Sequence, residues 1–154
     1  MGGAYSQTKI RNFTTYGDEP TSIMGTDRSP NAVEAVLAAL GSCLVVCIVY
    51  GSVRRGIRIH SLEMEMVGNL DLQGFFGIRE NVRPGYQDIQ VNYHIRSDAS
   101  REEMEEIIRH AERTSPVADI IRNPVALTTN LVDYTQSSET AAAPGRSGEA
   151  GVSR

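Results

Sequence analysis

The sequence is poor in three residue types that often carry chemistry: it has two cysteines, one lysine and no tryptophan among 154 residues. Disulfide-stapled secreted scaffolds spread several cysteines along the chain, whereas Cys43 and Cys47 share one apolar segment. This arrangement favours a reducing compartment. Because Lys9 is the only lysine and lies near the N-terminus, Schiff-base chemistry is disfavoured.

Basic character is also lacking. The formal net charge is −4, and no run of Lys or Arg stands out, so neither a nucleic acid nor an anionic membrane is an expected partner. The first residues, Met-Gly-Gly-Ala-Tyr-Ser, show no charged segment followed by an apolar one. We therefore predict a cytoplasmic protein without a secretory signal.

One apolar segment resembles a membrane span. Residues 35–50 are almost continuously apolar, but they fall short of the roughly 20 residues that a bilayer requires. Gly41, Ser42 and the two cysteines also interrupt the segment. A helix that is apolar all round equally suits the centre of a protein or of a dimer, and that is the interpretation we favour.

The regular elements follow from local signals. Residues 8–16 are rich in β-branched and aromatic residues and predict one strand. Asn31 followed by Glu34 fits a capping box, which predicts a long helix from there to about Arg55, with Gly56 ending it.

Alternation of apolar and polar residues predicts strands over 62–66 and 89–95, with a bulge or change of face near His60. Ser100 and Glu103 form a second capping box before an amphipathic helix, and Ser115-Pro116 opens a short helix to about Arg122. Residues 125–132 predict a last strand. The composition predicts a single α+β domain over 1–134 and a disordered tail over 135–154.

Four motifs together resemble the OsmC/Ohr-like family. They are Asp18-Glu19-Pro20, Ser29-Pro30-Asn31-Ala32-Val33-Glu34, Leu37-Ala38-Ala39-Leu40-Gly41-Ser42-Cys43-Leu44 and Ser115-Pro116-Val117. The resemblance runs from about Asp18 to Val132. It implies an antiparallel sheet wrapped on a long central helix, an intertwined homodimer, and sites at the subunit interface that reduce organic hydroperoxides.

The resemblance also implies roles for named residues. Cys43 occupies the position of the cysteine that attacks the peroxide and becomes a sulfenic acid. Glu34 matches the glutamate that holds an arginine near that cysteine, and Arg28, or alternatively Arg11, is the candidate arginine. Because Glu34 lies nine positions before Cys43, roughly 14 Å along one helix, contact across a dimer or through the arginine is expected.

The sequence departs from the family at Ser115. Peroxidases of the family have a second cysteine before this proline, and it resolves the sulfenic acid as a disulfide. Serine caps a helix but forms no disulfide, so three alternatives stay open. In the first, Cys47, one turn from Cys43, resolves the sulfenic acid after local unwinding of the helix. In the second, an external thiol resolves it. In the third, the peroxidase activity is lost.

Each of these residues can also be explained by a purely structural role. On composition alone both cysteines are core residues, and Glu34 and Ser115 are capping residues. A non-catalytic dimer that binds a small apolar or thiol-containing ligand is the alternative function. His60, His94 and His110 have no partners at metal-ligand spacing, and no nucleotide-binding motif is present, so no cofactor or metal is expected.

Overall fold

The computed structural model describes residues 3–134, and the predicted disordered tail over 135–154 lies outside them. A single-turn 3-10 helix spans Thr21–Ile23. The remaining elements, in chain order, are β1 (Ser6–Ile10), β2 (Phe13–Gly17), α1 (Ala32–Val53), β3 (Ile59–Asn69), α2 (Leu72–Phe75), β4 (Asp88–Ser97), α3 (Arg101–Thr114) and α4 (Pro116–Arg122).

The N-terminal segment is a hairpin. The single strand predicted over 8–16 is wrong, because β1 and β2 pair antiparallel with Ile10 opposite Phe13. The two residues between them, Arg11 and Asn12, form the turn, and Arg11 has a φ of 54°. The turn was not predicted because β-branched residues stand on both sides of it and neither glycine nor proline marks the reversal.

Helix α1 begins as the capping box predicts. The Asn31 side chain accepts from the Glu34 amide, and the Glu34 carboxylate accepts from the Asn31 amide, both at 2.8 Å. The helix ends at Val53, and Gly56 follows with a φ of +70°. Both predicted boundaries are confirmed to within two residues.

The length of α1 corrects one expectation. The apolar segment was expected to be too short for a membrane, yet the helix has 22 residues and is long and apolar enough to span one. Its contacts indicate a different role, because Leu40, Leu44 and Ile48 are buried against α3, α4 and β3. The opposite side, which includes Val46, Val49 and Val53, is exposed in the single chain.

Strands β3 and β4 form the sheet that packs on α1. They pair antiparallel, and the register shifts between Ile59 and Ser61, which confirms the bulge predicted near His60. A Cβ atom on Gly41 would lie 2.6 Å from Met66 Cε. The glycine in the middle of α1 therefore leaves room for the end of the Met66 side chain.

Two core clusters hold α1 in place. One comprises Ile48, Met104, Ile107 and Ala111. The other comprises Leu40, Leu44 and Ala118. They lie along one side of α1, so α3 and α4 determine which part of the helix is buried.

Residues 125–132, predicted as a strand, form no regular element, so this prediction is wrong. Leu127 and Leu131 are 88% and 80% exposed. Strand propensity reflects packing on a neighbouring strand. Within residues 3–134 no strand pairs with this segment. The α+β class with antiparallel sheets and a long helix is confirmed, as two separate two-stranded sheets of which β3–β4 contacts α1.

Asp18 organises the loop between β2 and α1. Its carboxylate is 2% exposed and accepts from the Thr26 hydroxyl and from the amides of Glu19, Thr26 and Arg28. The Thr26 hydroxyl, ahead of the amide donors, lowers the pKa of Asp18 from 3.8 to about 2. The ionised form is thus bound more tightly in the folded chain than in the unfolded one.

We expect Asp18→Asn to lower the urea midpoint near neutral pH, because the amide puts a donor where donors already converge. The lowered pKa makes this stabilisation complete above the ordinary carboxyl pKa of 3.8 and removes it as the pH falls toward about 2. The difference in urea midpoint between Asp18→Asn and wild type should therefore shrink as the pH falls through this range. Glu80→Gln, an exposed control, should change little, and a difference for Asp18→Asn that is independent of pH would contradict this account.

Candidate functional site

Cys43 lies where the middle of α1 meets the junction of α3 and α4. Its half-buried thiol is 3.0 Å from the hydroxyl oxygen of Ser115, which is 1% exposed. Ser115 ends α3 and caps α4, where its hydroxyl oxygen accepts from the Ala118 amide at 3.2 Å. Because that oxygen already accepts, its single proton is free to be donated to the Cys43 sulfur.

These donors lower the pKa of Cys43. The Ser115 hydroxyl contributes most, the Val117 amide at the start of α4 adds to it, and burial opposes both. The Cys47 thiol lowers the pKa further. Hydrogen bonds to sulfur thus favour the thiolate, which is the nucleophilic form of cysteine.

Cys47 is tuned in the opposite direction. Burial, and secondarily the negative charge of Cys43, raise the pKa of Cys47. Cys47 is one turn along α1 from Cys43, on the same side of the helix as predicted. Neither cysteine is fully buried, so the interpretation of both as core residues is too simple. The surroundings thus favour ionisation of Cys43 over ionisation of Cys47.

The predicted charged partners lie elsewhere in the single chain. Glu34 is exposed and caps α1 through Asn31, as its structural interpretation predicts. The Arg28 guanidinium carbon lies 4.8 Å from the Tyr5 ring centroid. That of Arg11 lies 5.4 Å from the Phe13 ring centroid. Within residues 3–134 neither these arginines nor Glu34 hydrogen-bonds to Cys43, so their role there stays a prediction.

A cavity of about 490 Å³ lies between α1, β4 and α4. Leu40, Leu44, Val91, Ala118 and Ile121 contribute apolar walls. Arg83, Tyr93, Glu112 and Arg122 contribute polar groups. Leu44 directly follows Cys43, and Ala118 donates its amide to Ser115, but neither Cys43 nor Ser115 itself lines the cavity. An organic molecule with one polar end fits this lining.

Tyr93 is a half-buried polar group of this cavity. Its hydroxyl donates to Glu112 at 3.4 Å. Burial, and then the charge of Glu112, raise the pKa of Tyr93 to about 12, so the phenol keeps its proton. Sequence reasoning placed Tyr93 on the apolar side of a strand and missed the cavity. Its apolar neighbours Ile89, Val91 and Ile95 gave no sign of a polar partner on another element.

The histidines show no metal chemistry in the part of the chain that is described. His60 is 2.6 Å from Asp98, and His94 is 3.7 Å from Glu65. Between residues 3 and 134, no group of three or more His, Cys, Asp or Glu is arranged to hold a metal ion. His110 lies instead in α3 beside Cys47, at a second cavity.

Comparisons with known proteins agree with this architecture. Residues 25–130 match the family model of the OsmC-like proteins. The fold is similar to that of an OsmC-like protein from Mycoplasma pneumoniae, with a TM-score of 0.67 and 18% identity over 78% of this chain and 80% of that one. No curated protein sequence is significantly similar to the chain.

Two further structures share the fold. An OsmC-like protein of unknown function from Vibrio cholerae has a TM-score of 0.58 and 15% identity over 76% of this chain and 78% of that one. An organic hydroperoxide resistance protein OsmC from Legionella pneumophila has a TM-score of 0.54 and 15% identity over 79% of this chain and 90% of that one. At these identities the similarity establishes the fold.

We expect Ser115→Ala to raise the pKa of Cys43, because the variant removes the strongest donor to the sulfur. The pH titration of thiolate absorbance in the ultraviolet measures this shift, best in a Cys47→Ser background that leaves one thiol. The variant also loses a helix cap, at a cost of about 1 kcal/mol. Ser100→Ala is the matched control, since it loses a cap on α3 far from Cys43. Equal titration curves for all three proteins would show that Ser115 does not tune the thiol.

Proposed function

The chain belongs to the OsmC-like family, and on that premise we propose that it is a thiol-dependent reductase of organic hydroperoxides with Cys43 as its reactive residue. The observation that carries the proposal is the pair of donors at the Cys43 sulfur. The Ser115 hydroxyl and the Val117 amide both stabilise the thiolate on a half-buried cysteine. A core cysteine in apolar surroundings would instead be held as the thiol.

The proposed reaction is a two-electron transfer from sulfur to oxygen. The Cys43 thiolate attacks the terminal oxygen of the hydroperoxide, so an S–O bond forms while the O–O bond breaks. The alkoxide that leaves takes a proton and departs as an alcohol. Cys43 is then a sulfenic acid, and a thiol must return two electrons before the next turnover.

The apolar cavity that Leu44 and Ala118 line supports an organic substrate. Its apolar walls, formed in part by Leu40 and Leu44 of α1, accept a hydrocarbon portion. Arg83 and Arg122 at the polar side offer cations to an oxygen-bearing end. The structural neighbour from Legionella pneumophila is named for organic hydroperoxide resistance, which agrees with this class of substrate.

Serine at position 115 determines which thiol can reduce the sulfenic acid of Cys43. Its oxygen sits 3.0 Å from the Cys43 sulfur, where a cysteine would be within reach of a disulfide. Because serine forms no disulfide, the electrons come from another thiol. An external thiol reductant and a cytoplasmic location, where such thiols are abundant, are therefore part of the proposal.

A homodimer completes the proposed site. The side of α1 away from α3 and α4 exposes Val46, Val49 and Val53 at 49%, 37% and 68%. A second copy of the chain would cover this surface, as the intertwined dimer implied by the family does. The arginine expected near Cys43, Arg28 or Arg11, would then come from the partner.

The serine itself favours a second candidate function. A family member without its resolving cysteine can serve as a non-catalytic dimer that holds a small apolar or thiol-containing ligand in the same cavity. The two functions differ in the reactivity of Cys43, since a binding protein needs no thiolate. Slow reaction with peroxide together with a high thiol pKa would support the binding function.

We expect the purified protein to consume cumene hydroperoxide with a dithiol reductant, and Cys43→Ser to abolish turnover because no other thiolate is stabilised. The residual rate should match free reductant alone. Cys47→Ser keeps the attacking thiolate and should retain reaction with the first equivalent of peroxide. If wild type and Cys43→Ser both react no faster than background, the peroxidase function fails and the binding dimer takes its place.

We expect the native chain to be a dimer and Val49→Asp to dissociate it, because the twofold relation places two carboxylates in one apolar interface. A dissociation constant raised by about a hundredfold or more corresponds to roughly 3 kcal/mol. Size-exclusion chromatography with light scattering measures the mass. Asn81→Asp, which adds a carboxylate at an exposed polar position, is the control and should stay dimeric. A wild-type monomer would contradict the proposed assembly.

A further inference from the structure

We propose that Cys47 is the resolving thiol of this chain and that the cavity beside it binds a small thiol carrying a carboxylate, which reduces the disulfide. The inference rests on the proposed function, because it assigns the second half of the same cycle. Three observations support it: the four-residue spacing of the two cysteines on α1, the cavity that Cys47 borders, and the cations around that cavity.

The backbone places the two cysteines at a distance that a disulfide can span. Residues four apart on a regular helix have Cα atoms about 6.2 Å from each other, from the rise and radius of the helix. Disulfides occur with Cα separations of about 4.4–6.8 Å. The Cβ atoms of residues four apart on a helix lie about 5–6 Å from each other, whereas a disulfide needs about 3.5–4.5 Å. Closing the bond therefore requires this turn of α1 to open locally, as the sequence also predicts.

Resolution by Cys47 balances without another reactant. The Cys47 sulfur attacks the sulfur of the Cys43 sulfenic acid, so an S–S bond forms and the S–OH bond breaks. The thiol proton of Cys47 and the departing hydroxide form water. The two-electron oxidation of the protein is then held as the Cys43–Cys47 disulfide, which protects Cys43 from further oxidation.

Cys47 borders a second cavity, separate from the one that adjoins Leu44 and Ala118. It has a volume of about 640 Å³ and is lined by Cys47, Tyr50, Arg54, Arg55, His110 and Thr114. Cys43 lies one helical turn before Cys47 along α1. A reductant in this cavity would meet the Cys47 sulfur first, and an organic peroxide in the first cavity would not obstruct it.

The charge around this cavity favours an anion. Arg55 is bridged to the exposed Glu106 at 3.4 Å, whereas Arg54 makes no ion pair within residues 3–134. His110 adds a donor on the α3 side. A carboxylate on the incoming thiol would pair with Arg54, and a cationic thiol would be repelled.

The opposite pKa shifts of the two thiols determine which sulfur the incoming thiol attacks. Thiol–disulfide exchange is faster when the leaving thiol has the lower pKa, and that thiol is Cys43. The incoming thiolate attacks the Cys47 sulfur, the S–S bond breaks, and Cys43 leaves as the thiolate ready for the next peroxide. A second thiol attacks the mixed disulfide on Cys47, releases the oxidised small molecule and restores the Cys47 thiol after protonation.

The first experiment separates this inference from the proposed function. Full-length protein is treated with one equivalent of cumene hydroperoxide in the presence of dimedone, and the tryptic peptide over 29–54, which contains both cysteines, is analysed by mass spectrometry. We expect an internal disulfide in wild type and a dimedone adduct on Cys43 in Cys47→Ser. A dimedone adduct of equal amount in both proteins overturns the role of Cys47. An unmodified peptide in both overturns the proposed function itself.

The second experiment tests the cavity. The pre-oxidised protein is reduced with mercaptopropionate, mercaptoethanol or cysteamine, and each rate is compared between variant and wild type so that intrinsic thiol reactivity cancels. We expect Arg54→Gln to slow reduction by the carboxylate thiol about threefold, as for one exposed ion pair, and to leave the neutral thiol unchanged. Arg101→Gln, which breaks an exposed pair with Glu105, is the control. Equal effects of Arg54→Gln on the anionic and neutral thiols overturn the carboxylate site.

Discussion

The packing of one side of α1 determines the rest of the structure. Leu40, Leu44 and Ile48 are buried against α3, α4 and β3, and this fixes the rotation of the helix about its axis. Cys43 lies at the border of the buried side, so its sulfur reaches the start of α4 without being sealed in the core. Gly41 leaves room for the Met66 side chain at the same turn. A reactive thiol needs this intermediate position, close enough to protein donors for tuning and open enough to meet a substrate.

Local signals were sufficient to predict most helix and strand boundaries. The capping boxes at Asn31 and Ser100, the cap at Ser115 and the alternation in β3 and β4 depend on neighbours within a few residues, and all were confirmed. The failures involve distant partners. The turn in 8–16 lacks glycine or proline, and the residues over 125–132 have strand propensity without a neighbouring strand in the described chain.

The site was predictable in part. The resemblance identified Cys43 and Ser115, but serine was interpreted as a lost cysteine, and its hydrogen bond to the sulfur was not foreseen. That bond joins residues 72 apart in sequence, and no local pattern encodes it. The cavities were missed for the same reason, since Tyr93 and Glu112 of the first lie on different elements. The arginine expected beside Cys43 depends on contacts that the single chain does not make.

Ser115 shows how far the chemistry of this site depends on one side-chain atom. The serine oxygen caps α4 and donates a hydrogen bond to the Cys43 sulfur. A thiol in its place could supply two electrons to an oxidised Cys43 by forming a disulfide, whereas a hydroxyl can only hydrogen-bond to it. One atom therefore separates a redox partner from a group that regulates acidity. Substitution at this position would change how far the chain depends on external electron donors.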